Sequence, residues 1–124
     1  MSRAELESLG YSLHNIYNAL ENCFEQISSS FENHVHDSAR WHRDLLEKMF
    51  LDIKPLRPAV LPEQLRSVLA DLVGFRHVFR HGYELKIDEA KTVALWNRWS
   101  VENVLVKQSL TLFANELEQI GTNP

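Results

Sequence analysis

Little in this chain is available to staple it, span a membrane or coat a polyanion. A single cysteine, Cys23, leaves no internal disulfide to form, which agrees with a reducing compartment and makes the cytoplasm the expected location. No apolar run reaches the roughly 20 residues of a membrane helix. The start, Met1-Ser2-Arg3-Ala4-Glu5, is acidic and amphipathic where a signal peptide would be apolar, so no association with membrane is expected. Strand-like alternation, internal repeats and low-complexity stretches are all missing. With 13 basic against 17 acidic side chains and a net charge of −4, a broad nucleic-acid-coating surface is excluded, although a local basic pocket is not.

What is there is an ordinary globular composition, 44% hydrophobic and 24% charged over 124 residues, enough for one domain spanning 1–124 with a real core. Leu6, Leu9, Leu13, Ile16, Leu20, Cys23, Ile27 and Phe31 recur three or four apart, predicting a long amphipathic helix from Ser2 to about Asn33 with Gly10 as its weak point. Cys23 reads as a small buried apolar residue beside Leu20, Phe24 and Ile27. Asp37 is the expected N-cap of a second helix to about Leu51. Pro55 and Pro58 make Ile53–Pro58 a linker. Pro62 suits the first turn of a third helix, which Leu65, Val68, Leu69, Leu72, Val73, Phe75 and Phe79 carry toward a stop near Gly82. Asp88 caps a fourth, running through Trp96, Trp99, Leu105, Leu110, Phe113 and Leu117 to Ile120 and ending at Gly121. The expected fold is all-α, an antiparallel four-helix bundle. Val101 and Val104 beside the two tryptophans widen the apolar surface of the fourth helix, and a second copy is one candidate to cover it.

A bundle of this kind carries many unrelated functions, so function has to come from a site. The densest concentration of proton-transferring and phosphate-binding groups is Phe75-Arg76-His77-Val78-Phe79-Arg80-His81-Gly82-Tyr83. Arginine matches phosphate oxygens with a permanently charged planar fork, and histidine exchanges a proton near neutral pH. The plainer explanation is that a basic last turn complements the negative end of the helix dipole.

The spacing is more specific than the charge. Arg76, four residues, His81, one residue and Tyr83 form an R-x4-H-x-Y pattern that resembles the signature of HEPN-domain toxins of the HepT type, with His77 in the polar position directly after the arginine. The resemblance extends to chain length and helix order, and it implies a HEPN-like bundle with metal-independent endoribonuclease activity and no cofactor. RNA supplies its own nucleophile, the 2′-hydroxyl, so the enzyme has to remove that proton, stabilise charge on phosphorus and protonate the leaving 5′-oxygen. In this scheme His81 transfers protons and Arg76 holds the phosphate, while His77 orients the pair or carries a second proton, with Arg80 as phosphate-binding support. Both Arg76 and His81 are expected at a cleft, away from the core.

Five residues along a regular helix turn through about 500°, leaving positions 76 and 81 about 140° apart. Either the helix distorts before Gly82, or groups from two chains meet across a two-fold axis; the resemblance implies the second, a homodimer. It also implies a minimal nucleotidyltransferase antitoxin as partner and adenylylation of Tyr83 as the silencing step, against a structural role in which the tyrosine ring packs by Phe79. Two rival schemes use the same residues. His77 and His81, four apart, have the spacing of a zinc-binding pair, with His34, His36, Asp37 and His42 as remote candidates; exposed or capping histidines account for them better, and no metal site is expected. A non-catalytic nucleotide- or substrate-binding subunit of a nucleotidyltransferase is the second.

Overall fold

The structure is a computed structural model that describes residues 1–31, 41–81 and 87–122, with the side chains of 80, 81 and 120–122 outside the description. Among the described residues the chain is helical: α1 (Arg3–Phe31), α2 (Trp41–Met49), a 3-10 turn (Glu63–Leu65), α3 (Arg66–His81) and α4 (Glu89–Thr122). None of these helices is long and apolar enough to cross a membrane.

Local chemistry explains the ends. Ser2 caps α1, its hydroxyl accepting the Glu5 amide at 3.1 Å. Asp88 caps α4 as its sequence position predicts, with its carboxylate accepting the Lys91 amide at 3.0 Å and its carbonyl accepting the Thr92 hydroxyl at 2.7 Å. The expected cap Asp37 lies outside the described residues, as do Gly82 and Tyr83. Three boundaries differ from expectation. Helix α2 stops at Met49, two residues short of Leu51, and α4 continues through Gly121 to Thr122. Pro62 precedes the 3-10 turn in an extended conformation, so it directs the chain toward α3 from outside the first helical turn.

The proline-rich linker is a closed loop. Ile53 and Arg57 exchange backbone hydrogen bonds at 2.9 Å each, and the Lys54–Pro55 peptide is cis. Arg57, 2% exposed, donates from its guanidinium to the carbonyls of Lys48, Leu51 and Pro58 at 3.0–3.1 Å. It thereby satisfies carbonyls that the end of α2 leaves without a helical partner.

Helices α1 and α3 pack on one another and each touches both α2 and α4, which lie on opposite sides of that central pair. One cluster of apolar side chains, among them Leu13, Phe24, Leu45, Met49, Leu65, Leu69, Leu72 and Phe113, fills the space between them. Each fully buried Leu or Phe in it contributes roughly 1.5–3 kcal/mol. The most deeply buried line of α1 is Gly10, Leu13, Tyr17, Glu21, Phe24 and Ser28. It shares only Leu13 with the apolar repeat read from the sequence, whose other members, Cys23 included, are half-buried. A helix contacting three others buries a wide arc, and the centre of that arc holds polar side chains that a hydrophobic pattern passes over. Gly10 has a positive role there: a Cβ would meet the Phe79 and Phe75 rings at 3.0 and 3.3 Å, so its absence lets α1 approach α3.

Candidate functional site

At i, i+3, i+4 and i+7, the residues His14, Tyr17, Asn18 and Glu21 share one face of α1. That face meets Arg76 from α3 and His42 from α2. The Arg76 Nε donates to Asn18 Oδ1 at 2.7 Å, and Asn18 Nδ2 lies 3.1 Å from His14 Nε2. On its other side the Arg76 NH1 is 3.4 Å from His42 Nε2. The His42 Nδ1 sits 2.9 and 2.8 Å from the two oxygens of Glu21, a carboxylate only 6% exposed, and the Trp41 ring stacks on the imidazole with centroids 3.8 Å apart. A carboxylate only accepts, so Nδ1 carries the hydrogen and the lone pair of a neutral His42 is left on Nε2, facing the guanidinium. Three helices thus assemble a chain of polar groups, His14–Asn18–Arg76–His42–Glu21.

Tyr17 lies in the same layer. Its ring is fully buried and its hydroxyl has no hydrogen-bond partner among the described residues. Burial pushes the phenol well above its ordinary value of 10.0; the Glu21 charge adds to this, and Arg76 and Arg43 oppose it. The hydroxyl therefore stays protonated in the physiological range.

Arg76 is the one sequence-predicted site residue whose surroundings the structure describes in full, and its placement corrects an expectation. It is 8% exposed, buried between α1, α2 and α3, and does not stand at an open cleft. Its neighbour His77 is exposed, and the side chains holding Arg76 are Asn18 and His42. The side chains of Arg80 and His81 lie outside the described residues, as do His34, His36, Asp37 and Tyr83. Helix α3 is α-helical throughout Arg66–His81, so no break separates positions 76 and 81, and they keep the separation of about 140° of a regular helix. Among the described residues no three His, Cys, Asp or Glu side chains converge as a metal-binding set.

Sequence reading missed Asn18 and Glu21 and did not connect His42 with Arg76. The available signal was Glu21 itself, a carboxylate in register with Leu13, Tyr17 and Phe24 on a helix whose opposite positions are charged and exposed. A charge on a buried line requires a partner.

A larger opening lies between α1, α3 and α4, a groove of about 1060 Å³ lined among others by Tyr11, Phe75, Val78, Phe79, Lys91 and Leu95. The Phe75 and Phe79 rings stack in it at 5.8 Å. Arg76 does not line it. The two arginines on its rim are paired, Arg3 with Glu7 at 3.1 Å and Arg98 with Asp71, so the groove offers mainly aromatic surface and little uncompensated positive charge.

Compared with known proteins, the chain is matched over residues 8–117 by the model of one family, described as HepT-like protein. No curated protein matches it, and no solved structure does.

Proposed function

This chain belongs to the HepT-like protein family, and on that premise we propose that it is the toxin of a toxin–antitoxin pair, a metal-independent endoribonuclease that cleaves RNA by attack of the 2′-hydroxyl. The observation that carries the proposal is the setting of Arg76. A permanently charged fork is buried to 8% exposure yet held by the side chains of Asn18 and His42, in contact with an imidazole that can exchange protons. Such a group is preorganised to bind a phosphate and to favour the transition state, in which the equatorial oxygens carry more charge. In this scheme His81 moves protons, His77 and Arg80 extend the site from the last turns of α3, and the products end in a 2′,3′-cyclic phosphate.

The working unit is a homodimer of HEPN-like antiparallel bundles. Two features support it: positions 76 and 81 face different directions on an unbroken helix, and Val101, Val104 and Leu112 leave exposed apolar surface on α4. A minimal nucleotidyltransferase is the antitoxin, and it silences the enzyme by adenylylating Tyr83. The added phosphate would bring negative charge two residues beyond His81, next to cationic groups that otherwise take the RNA phosphate.

The direct test is incubation of the purified protein with RNA in excess chelator. Cleavage to cyclic-phosphate ends, lost in Arg76→Ala and in His81→Ala, is the expected result. Tight nucleotide binding with intact RNA would instead favour the binding-subunit function, and intact-mass analysis after co-expression with the neighbouring nucleotidyltransferase tests the modification of Tyr83.

A further inference from the structure

We infer that His42, oriented by Glu21, is a catalytic proton carrier of this site, a role that rests on Arg76 being the phosphate-holding group of a ribonuclease. The two residues come from helices 34 positions apart in sequence, and nothing in the R-x4-H-x-Y pattern includes His42.

The imidazole is fixed on three sides. Trp41 stacks on its face, both Glu21 oxygens lie within hydrogen-bond distance of Nδ1, and Arg76 NH1 stands 3.4 Å from Nε2. Its side chain is 25% exposed against 6% for Glu21, so a wet imidazole backs onto a dry carboxylate. A phosphate oxygen that accepts a hydrogen bond from Arg76 NH1 comes within a few ångströms of Nε2, since the two nitrogens are neighbours. The attacking 2′-oxygen is bonded through the ribose to that same phosphate. Glu21 then does two things: it sets the tautomer with the lone pair on Nε2, and it offsets the positive charge that forms when Nε2 takes a proton.

The step balances without a co-reactant. The 2′-O–H proton passes to His42 Nε2 as the O2′–P bond forms. The P–O5′ bond breaks and O5′ takes a proton from a second carrier, for which His81 is the candidate. Hydrolysis or solvent exchange then resets both histidines. The charged and titratable groups around His42 are Glu21 and Tyr17 from α1, Arg43 on its own helix and Arg76 from α3; of these only His42 itself exchanges protons readily near neutral pH.

A simple α1–α2 tie would use the same Glu21–His42 contact, so the experiment must separate the two roles. The full-length protein, His42→Gln, Glu21→Gln and His81→Ala would be compared on an RNA oligonucleotide, measuring kcat, KM and the pH–rate profile, with helical content and melting temperature followed in parallel. Expected for His42→Gln is a loss of about 100-fold or more in kcat, with KM within a few-fold, helical content intact and the acidic limb of the profile abolished. Glu21→Gln should retain that limb at a displaced pH. To probe contact directly, adenosine 3′-monophosphate would be titrated while the histidine ring signals are followed by NMR. The His42 signal should move in the wild type and stay still in Arg76→Met. A His42→Gln protein with the wild-type rate and profile, or a His42 signal indifferent to the nucleotide, overturns the inference and leaves the ribonuclease function standing. A wild-type protein that cleaves no RNA removes that function, and the proton-carrier role with it.

Discussion

Two arginines are buried in this molecule, and they are used in different ways. Arg57, 2% exposed, sends its guanidinium to three backbone carbonyls around the end of α2. Arg76, 8% exposed, is held by an amide and an imidazole on two other helices. Carbonyls do not titrate, and they belong to a backbone already fixed by the fold, so the Arg57 cluster is closed and structural. The partners of Arg76 are side chains, one of them a histidine backed by a carboxylate, and side chains can move, exchange protons and give way to a ligand. Burial alone therefore does not distinguish a structural arginine from a functional one; the chemistry of what it touches does.

The sharpest way to break this comparison is activity. Arg76→Met is expected to lower RNA cleavage by about 100-fold or more, the usual cost of removing a donor that stabilises transition-state charge. Arg57→Met should leave the rate per folded molecule near wild type. Equal losses in both, measured as kcat on protein shown to be folded, would mean that Arg76 is no more functional than Arg57.

Stability should reverse the order. Arg57→Met orphans three carbonyls and is expected to lose about 3 kcal/mol or more, while Arg76→Met, which leaves an amide and an imidazole able to rearrange, loses roughly 1–2 kcal/mol. Denaturant unfolding of the two variants measures the difference, and Arg76→Met as the less stable protein would contradict it.

Alkaline pH probes the Arg76 layer through Tyr17. Its phenol is raised above the ordinary value of 10.0 mainly by burial, so the unfolded chain releases this proton first. The stability it contributes is fully present below about pH 10 and falls above it, at about 1.4 kcal/mol per pH unit, as pH climbs toward the folded-state value. Tyr17→Phe should remove this part of the alkaline loss. At pH 7 it should change stability little, because the hydroxyl it deletes has no partner among the described residues. A Tyr17→Phe protein with the same alkaline unfolding profile as wild type would show that the ring is not sealed in the folded state.

The smallest effect is expected at Gly74, where a Cβ would meet only Arg43 NH2 at an ordinary 3.6 Å. Gly74→Ala should raise stability by up to about 1 kcal/mol through helix propensity without altering cleavage. The same change at Gly10 gains that propensity but presses on the Phe79 ring at 3.0 Å, so it should stabilise less. Thermal melts of the pair check the ranking.

Much of the local structure was legible in the residues themselves. Asp88 announced the start of α4 and the apolar repeats announced all four helices, because capping and amphipathic spacing are properties of a single segment. Arg76 was legible as a candidate through its spacing to His81 and Tyr83. Its surroundings were not. The expected partner, adjacent His77, is exposed, whereas Asn18 and His42 lie 58 and 34 positions away. The buried line of α1 was missed for a related reason: Tyr17, Glu21 and Ser28 are polar, and a pattern that counts apolar residues assigns them to the surface.

By itself, then, the sequence determined the helical class, the approximate ends of its segments, the caps at Ser2 and Asp88, and the family to which 8–117 conforms. These follow from backbone preferences and from residue periods that each segment carries alone. Only the tertiary structure decided that Glu21 faces inward, that Arg57 closes α2, and that His42 stands between Glu21 and Arg76. Those contacts depend on how α1, α2 and α3 cross and in what register, and the register is set by the mutual packing of all the helices around a shared core.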